Sequence, residues 1–583
     1  MPPDEVSSPA VPDAPAPAPA ARRTRWSAVW SVAAVLLVWV ALVAPSRSAA
    51  LQPVTFVRLP LEGLLLGGAL LALPARVRRP VAALAGLAAA LLLLLKVLDL
   101  GFYTALDRPF DIVDDGGYAG WAVSLLVDSV GRFGAVVALV LGAAAVLAVL
   151  VLVPLAMLRV NILLGGHRAG AAAVLTALLA GWVGLAAAGT TVGAGPVASA
   201  TDVRLALGHA HQVSASIRDE RRFDHELTAD PRAATGAALS GLRGKDVFLV
   251  FVESYGRFAL EGPSSGPVTA VLDRGTRQLQ RAGFRSRSAF LTSPTFGGVS
   301  WLAHSTLQSG LWVDSQQRYD RLLASRHSTL TSLFGQEGWR TVLDIPSSES
   351  PWTEGRRFYR YDRMYGFGDV GYTGPRFGYD RVPDQYTLEA LHRLELSRQP
   401  RRPLMAEIDL ASSHTPWAPL PHLVPWRDLG NGAVFDPMPA QGQSRARVWS
   451  DPARLRAAYS QSVVYTLRSL VGFLQRYGDD DDVLVVLGDH QPNSFVTGQG
   501  AGHDVPVSVI AHDPEVMHRI AGWDWQPGLH PRPDAPVWRM DAFRGRFLDA
   551  FDAPSPARPA LGPPPWVRRQ HVSADGSAAR GRR

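Results

Sequence analysis

The chain has 583 residues, too many for one ordinary hydrophobic core, so at least two folding units are expected. Its formal net charge of +7 comes with arginine clusters near both ends but no basic stripe interleaved with aromatics, which argues against nucleic acid as a partner. The absence of cysteine excludes disulfides, thiolate ligands and thiol nucleophiles, so any metal must sit on oxygen and nitrogen.

Residues 1–24, rich in Pro and Ala, bury too little apolar surface to order themselves and are expected to form a cytoplasmic tail. Apolar runs follow at 26–44, 54–73, 81–103, 135–157 and 171–192, most of them near the ~20 residues that cross a bilayer. Five transmembrane helices are therefore expected within 25–193, the second being the weakest because Arg58 and Glu62 interrupt it. Arg22, Arg23 and Arg25 precede the first run, Arg76, Arg78 and Arg79 follow the second, and Arg159, His167 and Arg168 follow the fourth. The loop at 104–131 is instead acidic through Asp107, Asp111, Asp114 and Asp115. Positive loops stay in the cytoplasm, so the N-terminus is expected inside the plasma membrane and everything after Val192 outside it. Lys96 and Asp99, at i,i+3 near the outer end of the third run, are expected to snorkel to the interface.

Residues 194–243 are polar and mixed, as in a linker lying along the membrane. From 244 to 552 the pattern changes. Short β-rich apolar runs at 247–252, 341–345, 404–408, 483–487 and 505–510 alternate with helical stretches such as 330–337, 385–393 and 454–477. That alternation predicts an α/β domain with a largely buried sheet covered by helices. The acidic run 479–482 reads as a solvated turn and not a calcium loop. Residues 553–583, rich in Pro and Arg, form the expected disordered tail.

In open α/β sheets ligand groups gather where strands end. The run 247–252 leads directly into Glu253-Ser254-Tyr255-Gly256, and 483–487 leads into Gly488-Asp489-His490. Two carboxylates and an imidazole suit a divalent ion on O and N ligands, although each strand end by itself is also the pattern of a capped turn. A third element is Thr295-Phe296-Gly297-Gly298-Val299-Ser300, followed by a helical stretch that closes at Gly310. Ser300 either caps that helix or stands at its N-terminus as a nucleophile, where N–H groups and the dipole favour an alkoxide or a phosphate.

Taken together, Glu253, the Ser300 element and Gly488-Asp489-His490 resemble the alkaline phosphatase and sulfatase superfamily, in particular lipoteichoic acid synthases and related phosphoglycerol transferases. The resemblance spans about 245–513 and implies an alkaline-phosphatase-like α/β/α domain with a mostly parallel central sheet. It further implies that Glu253, Ser300, Asp489 and His490 bind one divalent metal, manganese ahead of zinc or magnesium, with Ser300 as nucleophile. His414, in Ser412-Ser413-His414-Thr415-Pro416-Trp417, resembles the family histidine that contacts the substrate phosphate. His503, in Gly502-His503-Asp504, resembles a histidine of the phosphoethanolamine transferases; either imidazole is a candidate to protonate a leaving alcohol. Trp352 and Arg356 fall where the synthases keep a head-group pocket. Two departures count against a sulfatase: Ser300 is not followed by x-Pro-x-Arg, and Glu253 is followed by Ser254, leaving one carboxylate where sulfatases use paired aspartates.

The implied reaction is transfer of an alcohol-phosphate group from a phospholipid donor to a glycan or lipid acceptor by way of a phosphoseryl enzyme. Hydrolysis of phosphate or sulfate esters, phosphoethanolamine transfer, and a non-catalytic envelope-binding protein are the alternatives.

Overall fold

The computed structural model describes residues 20–193, 195–228, 239–349 and 352–552. Residues 1–19 and 553–583, within the two expected tails, lie outside the described residues.

The N-terminal part is helical: α1 Ala20–Val43, α2 Leu61–Ala72, α3 Ala75–Leu106, α4 Tyr118–Gly166 and α5 Arg168–Ala187. Among the described residues four stretches are long and apolar enough to cross a membrane, at Trp26–Val43, Ala75–Leu106, Val130–Gly166 and Arg168–Ala187. The second expected run is different. Only its last part forms a helix, the 12 residues of α2, because Pro53 opens a short 3-10 turn and Pro60, which has no N–H to give, marks the helix start. Close packing of α3 on α4 depends on Gly86, where a Cβ would stand 2.6 Å from the Pro154 Cα. At Gly131 the backbone of α4 leaves helical geometry (φ 75°), separating its first turns from the apolar remainder.

Within the segment read as a linker, the structure has a 28-residue helix, α6, Thr201–Thr228. It accounts for Lys96 and Asp99, which do not snorkel: they are 2% and 1% exposed. Lys96 Nζ meets Asp202 Oδ1 at 2.5 Å and donates to the Ala41 and Leu42 carbonyls at 3.0 Å. His209 Nε2 lies 3.1 Å from Asp99 Oδ2. Snorkelling presumes water at the helix end; here α6 covers that end and supplies a polar partner for each side chain.

The second part is built on one nine-stranded sheet. In chain order its strands are β1 Asp246–Val252, β2 Arg285–Thr292, β3 Arg340–Asp344, β4 Arg363–Tyr365, β5 Leu404–Leu410, β6 Asp482–Gly488, β7 Asp504–Ala511, β8 Gln526–Pro527 and β9 Val537–Arg539. The spatial order is β8-β2-β7-β6-β1-β5-β3-β4, with β9 also on β2. Strands β6, β1, β5, β3 and β4 are mutually parallel, and β7 is antiparallel to both neighbours. All seven residues of β1 are buried, because alternate side chains enter two cores. Phe248 and Val250 face α7 (Gly266–Arg281) and the long helix at Pro452–Tyr477, while Val247, Leu249 and Phe251 face α8 (Ser300–Ser309) and Ala542–Phe551. The result is a sheet covered by helices on both faces.

Candidate active site at the carboxyl ends of the strands

Parallel register brings the chemistry together. Val252 pairs with both Gly488 and Leu410, so Glu253, Asp489 and the segment leading to His414 leave the sheet at one level. The loop after β2 arrives at the same edge and turns through Val299 (φ 57°) into α8, whose first residue is Ser300. That loop rests on the membrane helices: a Cβ on Gly297 would stand 2.0 Å from the Ala105 carbonyl of α3, so only glycine allows the approach.

Ser300 Oγ donates to Glu253 Oε2 at 3.2 Å and lies 3.2 Å from His490 Nε2. His490 Nε2 is 3.5 Å from Glu253 Oε1 and 3.4 Å from Asp489 Oδ2. His490 Nδ1 faces the Gln491 carbonyl at 2.8 Å; since a carbonyl only accepts, Nδ1 carries a proton and Nε2 is the nitrogen turned to the other groups. Asp489 Oδ1 accepts from the backbone N–H groups of Ser254 (2.8 Å) and His490 (2.7 Å), which orients its second oxygen. The ligand atoms of Glu253, Asp489 and His490 all lie within 4.8 Å of one another. Separations of 3.2–3.5 Å are of the size found between donors that each lie about 2.1 Å from one tetrahedral zinc-sized ion. The donor set thus fits a divalent ion.

The electrostatics point the same way. Burial raises the Glu253 carboxyl, but the His490 and His414 imidazoles, together with the Ser254 and Asp489 hydrogen bonds, hold the group down at about 2. Burial and the Glu253 carboxylate push Asp489 up to about 6. The pocket therefore holds one fixed carboxylate and a second that an added positive charge would ionise.

A cavity of about 580 Å³ opens over Ser300, lined by Ala105, Leu106 and Tyr118 together with Trp301, Trp352 and Phe495. Glu253, Asp489 and His414 line it too, and His490 lies fully buried behind Ser300. His414 stacks on Tyr379 (centroids 3.8 Å apart), with Nδ1 at 2.6 Å from the Thr415 carbonyl. His503 does not line this cavity; its Nδ1 lies 3.3 Å from the carbonyl of Ser293, whose hydroxyl donates to the Asp489 carbonyl. Arg356 borders a neighbouring cavity, which shares Ile345 and Trp352 with the first.

Sequence reading missed His304, Glu407 and Asp409, which line the same cavity. His304 Nδ1 lies 3.1 Å from Glu407 Oε1 and 3.6 Å from Asp409 Oδ1. Burial lowers the His304 imidazole, yet Asp409 and Glu407 outweigh it and raise the group to about 9. Two carboxylates spaced i,i+2 in an otherwise apolar strand, projecting from one face, were the available signal.

No protein-family model matches the sequence, and no curated protein matches it. Among solved structures, the chain is similar to the lipoteichoic acid synthase LtaP of Listeria monocytogenes, with 15% identity and a TM-score of 0.32 over 50% of this chain and 71% of that one. It is similar to an alkaline phosphatase superfamily protein of Vibrio parahaemolyticus, with 13% identity and a TM-score of 0.35 over 57% and 75%. It is also similar to the Streptococcus pyogenes phosphoglycerol transferase GacH, with 11% identity and a TM-score of 0.33 over 58% and 90%.

Proposed function

We propose that the protein is a membrane-anchored, metal-dependent transferase that moves an alcohol-phosphate group of the phosphoglycerol type from a phospholipid to a glycan or lipid acceptor of the cell envelope. The observation that carries this reading is Ser300 Oγ held 3.2 Å from both Glu253 and His490 at the start of a helix. A divalent ion on Glu253, Asp489, His490 and Ser300, manganese ahead of zinc or magnesium, would supply the charge that lowers the pKa of the hydroxyl.

Glu253 accepts the hydrogen bond of Ser300 and so aims its oxygen away from the helix. The N-terminal end of α8, where the helix dipole favours negative charge, is turned to the phosphate that Ser300 attacks. Once the acidified Ser300 hydroxyl has released its proton to solvent, the bond from its Oγ to phosphorus forms as the bond from phosphorus to the lipid alcohol breaks, leaving a phosphoseryl enzyme. His414 donates the proton to that alcohol through Nε2, its other nitrogen being committed to the Thr415 carbonyl. In the second half, the acceptor hydroxyl gives its proton to His414, attacks the phosphoserine and frees Ser300. Trp352 borders the cavity as a head-group wall, while His503 and Arg356, outside it, are assigned no step.

We place the cavity at the outer leaflet, with the N-terminus cytoplasmic and five crossings. Partners at the two ends of α2 support the fifth crossing. Glu62 accepts from the N–H groups of Asp202 and Val203, beyond the end of α5, whereas the Leu71 carbonyl accepts from Arg168, the first residue of α5.

The test is to incubate the detergent-purified full chain with labelled phosphatidylglycerol and manganese and to search Ser300 peptides for a phosphoglycerol adduct. An adduct in the wild type that disappears in Ser300→Ala, with metal retained, is the expected result. A metal-loaded wild type that turns over lipid without modifying Ser300 excludes the phosphoseryl route.

A further inference from the structure

We propose that His304, Glu407 and Asp409 form a second divalent-cation site in the wall of the Ser300 cavity, sharing no ligand with Glu253, Asp489 or His490. Glu407 and Asp409 project from the same face of β5, and α8 carries His304 over them, one helical turn beyond Ser300. One atom from each of the three residues lies within 4.8 Å of the others. The His304 Nδ1 separations of 3.1 and 3.6 Å from the two carboxylates match the ligand-to-ligand edges at the Ser300 centre.

The donors are held in place. The His304 ring stacks on Phe251, with centroids 3.7 Å apart. Glu407 Oε2 accepts from Gln308 Nε2 at 2.6 Å and from the Tyr361 hydroxyl, which leaves Oε1 for His304. Asp409 carries the independent sign of a ligand: its Oδ1 is buried, faces His304 and has no hydrogen-bond partner among the described residues. At the end of the adjacent strand β3, Asp344 is 1% exposed and neither of its oxygens has a hydrogen-bond partner among the described residues. Buried carboxylate oxygens without donors are costly, and one imidazole cannot balance several acids. A divalent cation completes both the charge and the coordination. One nitrogen and two carboxylates suit zinc or manganese. In that position the ion places a second positive charge on the wall that faces the reacting group.

This inference goes beyond the transfer reading and does not depend on it. Manganese alone is titrated calorimetrically into the metal-stripped, detergent-solubilised full chain, and bound metal is counted by mass spectrometry. The wild type is expected to take two ions per chain; Glu407→Gln and His304→Ala are expected to take one, and Asp489→Asn to keep the ion at His304. A single ion in the wild type, lost in Asp489→Asn and kept in Glu407→Gln, overturns the second site and leaves the Ser300 centre standing. The wild-type count decides the matter by itself should a variant fail to fold.

Discussion

The hydroxyl of Ser254 donates to Glu253 Oε1 at 2.7 Å. This hydrogen bond fixes the rotation of a carboxylate whose other oxygen receives Ser300. Groups that orient a ligand without touching the ion typically change affinity by about 10–100-fold. Ser254→Ala is therefore expected to weaken manganese binding by about that factor, with activity restored at saturating metal. A variant that stays slow at saturating manganese would show that Ser254 acts elsewhere.

Ser300 invites a chemical comparison. Ser300→Thr keeps a hydroxyl at the first position of α8 and is expected to retain measurable turnover. Ser300→Ala removes the nucleophile and is expected to lose about 10³-fold or more in kcat. Metal content should be little changed in either, because three ligands remain. Equal activity of the alanine variant in a single-turnover assay would remove Ser300 from the reaction.

Legibility in the sequence followed the length and purity of each signal. The five strands carrying apolar runs were legible because a strand buried on both faces is apolar along most of its length, as in β1 and β6 after their first Asp. β2 was not, since its first half, Arg285–Ser288, is polar and its place in the sheet comes from pairing with β7 and from the Ser288 to Ser508 hydrogen bond. β4, β8 and β9 are two or three residues long and exist only through their neighbours. Glu253, Ser300, Asp489 and His490 were legible because they follow strands or open a helix. The burial of Lys96 was not, because its partner Asp202 lies 106 residues away in a segment too charged to suggest a helix packed on the membrane bundle.

Asp482, at the start of β6 and far from the cavity, offers a clean pH test. It is 3% exposed, and burial pushes its carboxyl up to about 7; the Asp479 N–H partly offsets this, and Asp246 on the paired strand adds to it. In the unfolded chain the group titrates near 3.9. Between those values the folded state binds more protons, so the wild type gains stability as pH falls from about 7 to about 4 and carries the full penalty above 7. Asp482→Asn keeps an acceptor for the Asp479 N–H and is expected to be more stable than the wild type at pH 8, by up to about 4 kcal/mol. The advantage should shrink through the same window and vanish near pH 4, as read by chemical denaturation at each pH.

The Lys96 to Asp202 pair ties the membrane bundle to α6, and α6 in turn reaches the wall of the active site through Asp219 and Arg318, the latter on the helix Gln316–Ala324. Removing one member of a buried pair strands the other charge, at a cost of about 3–5 kcal/mol, whereas removing both relieves it. Lys96→Met is therefore expected to lower the unfolding temperature in detergent more than Lys96→Met with Asp202→Asn. Burial already raises the Asp202 carboxyl, and Lys96 is what pulls it back down. Without Lys96 the folded state takes up a proton that the unfolded chain does not bind, so the damage from Lys96→Met should shrink as pH falls from 8 to 5. A loss caused only by missing side-chain packing would be the same at every pH and would not be repaired by Asp202→Asn. Either of those results would reduce the pair to a filler contact and leave α6 held by its ion pairs at the other end.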